Sequence, residues 1–169
     1  RYPDYDKTVS VIDLATFKET KKIDVEVNLH RLKKDSEGDL YVSSRGDYYQ
    51  IPSNIFVIDS RTHQVKKKFD IPVSNFTIVG DKLYFYSNEF SYETFTYEKS
   101  FGIIDTKTEQ IITKNFINEA TLAEIETPYG IAVNPNNGDI YLTDVGNYVS
   151  TGYVYCFDKE GKTKWKTEA

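Results

Sequence analysis

Methionine is absent from this chain, cysteine and tryptophan occur once each, and histidine occurs twice. The single cysteine, Cys156, excludes an internal disulfide. Its setting in "YVYCFD" is that of a small buried residue rather than a reactive thiol. The two histidines form no pair at metal-ligand spacing, and no serine or cysteine nucleophile pattern accompanies them. His63 sits in a polar turn; His30, beside Arg31, is placed to line a channel. Catalysis, a bound metal and a cofactor therefore find no support in the residues. Apolar runs stop at four or five residues, whereas a membrane-spanning helix needs about 20. The formal net charge is −5, and no basic stretch is long enough to track a phosphate backbone. Nucleic acid is a poor partner for such a chain. With no methionine and Arg1 at its start, the sequence reads as a trimmed fragment whose targeting signal lies elsewhere.

Aromatic residues are abundant at 15%, with 14 Tyr and 10 Phe, and β-branched residues are plentiful; both favour strands over helices. One stretch is written repeatedly. "VSVIDLATFKETKKIDV" (9–25), "IFVIDSRTHQVKKKFDI" (55–71) and "FGIIDTKTEQIITKNFI" (101–117) share a layout, and "YVYCFDKEGKTKWK" (153–166) is a degraded fourth copy. The aligned aspartates Asp13, Asp59, Asp105 and Asp158 stand 46, 46 and 53 residues apart. Between them lie "GDLYVSS" (38–44), "DKLYFYS" (81–87) and "GDIYLTD" (138–144), each preceded by a looser apolar stretch. Four strands in roughly 40–50 residues is the signature of a β-propeller blade. Lettering the strands A to D outward from the channel, the copied motif is strand C, a turn and strand D.

Strand C is a near-continuous apolar run, as in Ile55-Phe56-Val57-Ile58, which suits a strand covered on both faces. Strand D carries lysines (Lys21, Lys22, Lys66, Lys67, Lys68), which discourage edge-to-edge association. In the C–D turns the aspartate accepts backbone N–H groups two residues on, so the repeated motif is architecture rather than a ligand signature. The expected organisation is all-β. A half blade spans 1–25 and full blades span 26–71, 72–117 and 118–169, the expected C-terminal part of a seven-bladed propeller. A preceding segment or another chain would supply the remaining blades, because an open arc leaves strand edges unpaired.

The repeat "VSVID..T....K.I" followed by "P.GIAV.P..GDIY" resembles the YVTN-type, surface-layer-like propeller repeats, which tend to have seven blades. The tail "TPYGIAVNPNNGDIYLTDVGNYVSTGYVYCFDKEGKTKW" (127–165) is similar to the last blade of propeller lipoproteins displayed on the outer membrane of Gram-negative gut anaerobes. Some of that group capture cobalamin and hand it to a TonB-dependent transporter. The resemblance implies a cell-surface location, a small-molecule ligand (corrinoid or glycan) and an outer-membrane transporter as partner.

The connections differ in kind. A–B turns ("DSEGD", "VGD", "NPNNGD") and C–D turns are short and polar, whereas the B–C loops at 44–54, 87–100 and 144–152 are long and aromatic. Binding residues concentrate in connections that break a regular repeat. The candidate ligand-binding residues are therefore Tyr48, Tyr49, Phe90, Tyr92, Phe95, Tyr97, Asn147 and Tyr148, with Tyr129 at the start of an A strand. Asn28 and Asn75, at equivalent starts, more often serve strand-end backbone groups. Asp144 and Asn147, with loop carbonyls, are the residues that would hold a stiffening cation in the last B–C loop. A protein-interaction scaffold is the competing expectation. An enzyme with its catalytic residues in the missing part is a third.

Overall fold

A computed structural model describes residues 5–91 and 93–169. The chain divides into two compact units, Arg1–Val73 and Ser74–Ala169. The first unit holds a two-stranded antiparallel sheet, β1 (Thr8–Ile12) and β2 (Glu19–Asp24). A four-stranded sheet follows in the order β3 (Leu29–Lys34), β4 (Leu40–Ser44), β5 (Asn54–Asp59) and β6 (Gln64–Phe69). The second unit holds two more four-stranded sheets. One is β7 (Asn75–Val79), β8 (Lys82–Ser91), β9 (Thr96–Asp105) and β10 (Gln110–Thr113); the other is β11 (Pro128–Val133), β12 (Ile140–Asp144), β13 (Tyr153–Phe157) and β14 (Thr163–Glu168). Every pairing joins strands adjacent in sequence and is antiparallel.

Burial follows the strand patterns. In β5 Ile55, Phe56, Val57 and Ile58 are all buried, so the continuous apolar run does mark a strand covered on both faces. In the first unit Ile58 and Val42 pack with Ile23 of β2, joining its two sheets. In the second, Tyr84 and Phe101 of one sheet pack with Ile140, Tyr155 and Phe157 of the other.

The C–D turns are closed by their aspartates. Asp13 Oδ1 accepts from Thr16 N–H at 2.8 Å, Asp59 Oδ1 from Arg61 and Thr62 N–H at 2.8 and 3.1 Å, and Asp105 Oδ1 from Thr108 N–H at 2.8 Å. Hydrogen bonds to Thr16, Thr62 and Thr108 are the leading cause holding these three carboxyls below the ordinary aspartate range. In these three turns the fifth residue takes a left-handed φ: Phe17 at 53°, His63 at 57°, Glu109 at 52°. The backbone demands that conformation, and the side chain there is free to vary. The outer lysines do more than guard an edge. Lys66 bridges to Asp39 at 2.5 Å and Lys164 to Asp139 at 2.6 Å, tying strand D back to two buried A–B turn aspartates.

Two features depart from expectation. A six-residue helix, α1 (Glu119–Glu124), interrupts the connection from β10 to β11, capped by Asn118 Oδ1 accepting from Thr121 N–H at 2.9 Å. Residues 88–91 and 96–99, within the long loop expected at 87–100, instead continue β8 and β9 as regular strand. Their ten-residue strands stay in register from Lys82↔Asp105 to Ser91↔Thr96.

Candidate functional site

Among the described site residues, all but Tyr129, which lies on β11, fall where the second and third strands of a four-stranded sheet connect or on the extension of those strands. At the end of β4, Ser44 Oγ donates to Val27 O at 2.6 Å and accepts from Gly46 N–H at 3.0 Å. Arg45 N–H donates to Asn28 O at 3.0 Å. Gly46 then turns through φ 63°, and Asp47 Oδ1 gathers three N–H groups, from Tyr49, Gln50 and Ile51, at 2.9, 2.7 and 2.7 Å. Those bonds, Ile51 and Tyr49 foremost, hold the Asp47 carboxyl below its ordinary range. Tyr48 follows at φ 62°.

The loop after β12 repeats this, one hundred residues on. Asp144 Oδ1 accepts from Gly146 N–H at 3.0 Å, and Val145 N–H donates to Thr127 O at 3.0 Å. Gly146 has φ 55°, Asn147 Oδ1 accepts from Val149 and Ser150 N–H at 3.0 and 2.9 Å, and Tyr148 has φ 64°. Both loops therefore share Gly, Asp or Asn, and Tyr at the same structural positions, "RGDYY" against "VGNYV". Alignment of the two loops across the intervening blade reveals it; scanning for the aspartate repeat does not.

A cation at Asp144 and Asn147 would face competitors for its ligands. Asp144 Oδ1 also accepts from Thr127 N–H at 2.7 Å and Oδ2 from Glu126 N–H at 2.9 Å, while Asn147 Oδ1 takes the Ser150 hydroxyl at 2.9 Å as well. Backbone donors stiffen this loop through the oxygens an ion would need. Among the described residues no group of three or more His, Cys, Asp or Glu is arranged to hold a metal.

The aromatic candidates are solvent-facing. Tyr48 is 61% exposed, Tyr49 81%, Tyr148 71% and Tyr129 61%. They do not stand alone: Tyr48 meets Tyr5 edge-on at 6.5 Å, and Tyr148 meets Tyr129 edge-on at 6.5 Å. On the β8–β9 extension Phe90 and Tyr97 are cross-strand partners with rings 5.5 Å apart at 69°. Phe95 is exposed in the turn between those strands, with φ 54°. Tyr92 lies outside the described residues. Asn28 and Asn75 serve backbone groups, as strand-end residues do, donating to Gly46 O at 3.1 Å and Tyr129 O at 3.4 Å. His30 Nε2 accepts from the Arg45 guanidinium at 2.7 Å. The contrast between connections is incomplete, since Leu14 and Phe17 are also exposed, in the first C–D turn.

A solved chain of Kuenenia stuttgartiensis hydrazine synthase superimposes on 96% of this chain with a TM-score of 0.73, at 16% sequence identity. The fold is that of a β-propeller. At that identity the likeness concerns fold alone, and the chain spans 43% of the length of that neighbour. No family model matches the sequence, and no curated protein does. In propeller terms, the duplicated tyrosine loops and the aromatic hairpin are B–C connections of three blades, and the aspartate-capped turns are C–D connections.

Proposed function

We propose that this propeller portion is a non-enzymatic ligand-binding module whose aromatic B–C loops each offer a surface for a flat, ring-containing molecule. The observation that carries the reading is the rigid presentation of exposed tyrosines. Tyr48 and Tyr148 project from loops whose backbones are fastened by three and two N–H bonds to one side-chain oxygen. Tyrosine offers a broad apolar face and a hydroxyl while surrendering little rotamer freedom. Contiguous exposed apolar surface on a globular domain marks an interaction site, and Tyr148 with Tyr129 places two exposed rings side by side. The sequence resemblance supplies the finer half of the proposal: display at the cell surface, cobalamin or a glycan as ligand, and delivery to a TonB-dependent transporter.

Calorimetric titration with cobalamin and with a glycan panel tests it. Tyr148→Ala should weaken binding by about 5- to 150-fold, or roughly 1–3 kcal/mol. His63→Ala, in a C–D turn, should leave it unchanged. Equal loss from both variants would sink the assignment. A second reading, a protein-docking module, is favoured by one feature: the β8–β9 extension, with its Phe90–Tyr97 pair and the exposed Phe95. Replacing residues 88–99 by a two-residue turn separates the two, because a small ligand held by Tyr148 should still bind.

A further inference from the structure

The duplicated B–C loops copy more than a backbone. Each holds its tyrosine edge-on to a second tyrosine, with ring centroids 6.5 Å apart and interplanar angles of 70° and 83°. The second rings come from unrelated places: Tyr5 precedes β1, whereas Tyr129 belongs to β11. Blade repetition explains a recurring loop, but it does not explain two independently recruited partners meeting the loop tyrosine in the same way.

The C–D turns provide an internal comparison. In three of the four the left-handed position is occupied by Phe17, His63 and Glu109, residues with no shared chemistry, and in the fourth by Gly161. Where only the backbone matters, the side chain has drifted. At the left-handed position of the B–C loops the residue is Tyr both times, at φ 62° and 64°. A bulky side chain is costly in that region, and Gly or Asn would be easier to hold there. Retention of the same bulky residue in both loops, where the C–D turns hold unlike residues in the same backbone conformation, points to a use for the side chain.

We infer that each tyrosine pair is a separate binding corner for one pyranose ring, giving two sugar sites in the chain. The inference rests on the ligand-binding reading above and names its ligand. One ring face offers negative quadrupole density to the axial C–H groups of a sugar, and the perpendicular ring forms a wall beside it. A phenol hydroxyl can donate to and accept from sugar hydroxyls. A corner of two rings suits a single six-membered ring.

The test is NMR on protein carrying ring-labelled tyrosine, titrated with methyl glycosides of glucose, galactose and mannose and with their linear hexasaccharides. At least one sugar should shift both pairs, Tyr5 with Tyr48 and Tyr129 with Tyr148. Tyr48→Gly should abolish the shift at Tyr5 and leave Tyr129 and Tyr148 responding; Tyr148→Gly should do the reverse. Each loss should be roughly tenfold or more in affinity at the altered corner. Because glycine suits the left-handed backbone, neither variant should lower the thermal midpoint, which separates lost binding from lost fold. If no sugar shifts either pair while cobalamin binds in a tyrosine-dependent manner, the pyranose assignment falls and the ligand-binding reading stands. If sugar shifts only one pair, the two-site inference is overturned. If neither sugars nor cobalamin bind with any dependence on these tyrosines, both readings fall.

Discussion

Phe157→Ala should lower the stability of the second unit by about 3–5 kcal/mol, the range for truncating a fully buried aromatic. Phe157 is wholly buried, stacks on Tyr155 at 6.1 Å with rings 6° from parallel, and receives Phe116 edge-on at 6.3 Å. Through the same cluster it reaches Phe101 and Tyr84 of the neighbouring sheet. The cavity would open where two sheets share one core, and β-sheet backbones on both sides cannot collapse inward to fill it. Phe157→Leu, which keeps most of the volume, should cost much less, about 1.5 kcal/mol. Urea unfolding of both variants measures the difference. Near-equal midpoints for Ala and Leu would mean that this core is not packed as described.

Gly46→Ala should be far more damaging than Gly146→Ala, although the two glycines occupy equivalent places. Both have left-handed φ, so any L-residue costs about 1–2 kcal/mol at either site. Only Gly46 also faces a collision: a Cβ there would lie 1.8 Å from Ile51 O and 2.8 Å from the Ile51 carbonyl carbon. At Gly146 the nearest atom is Glu126 Oε2 at 3.6 Å, ordinary contact. Overpacking against backbone adds about 1–3 kcal/mol, so Gly46→Ala should total roughly 2–5 kcal/mol against 1–2 for its counterpart. Because Ile51 N–H also binds Asp47 Oδ1 at 2.7 Å, displacing Ile51 loosens the turn that carries Tyr48. Thermal unfolding of both variants, with tyrosine ring shifts as a second readout, checks it; equal costs would contradict the tight closure on Ile51.

Much of the fold was legible because its signals are local. The aspartates at 13, 59 and 105 cap turns within three residues of themselves, so their spacing carries the blade period directly. Continuous apolar strands such as Ile55–Ile58 betray coverage on both faces. The β8–β9 extension was misread for the converse reason. Beyond Ser87 and Ser100 its residues are not sorted into a buried and an open face: of the aromatics, Phe90 pairs with Tyr97 and Phe95 faces solvent. Without one-sided burial the period of two leaves no trace in hydrophobicity. Helix α1 is shorter than two turns and rests on one cap, Asn118, too little for a periodic signal. The candidate tyrosines were legible as a group because they break the repeat. Their pairing was not, since Tyr5 and Tyr129 reach their partners through tertiary structure that no short window contains.

The meander order of the sheets bears on how the chain acquires its structure during synthesis. Strands pair only with their sequence neighbours, and the widest gap between paired strands is the nine residues from Ser44 to Asn54. Closing such short loops costs little entropy, and contacts this local favour rapid folding. No four-stranded sheet needs more chain than the 41 residues from Leu29 to Phe69 or from Pro128 to Glu168. A ribosome could therefore release the blades one by one, each competent to assemble before the next has been made. A lone blade would still expose both faces of its third strand. The smallest lasting structure is accordingly two successive sheets clasped over a common core, so nascent chain should become protease-resistant in steps of two sheets rather than one.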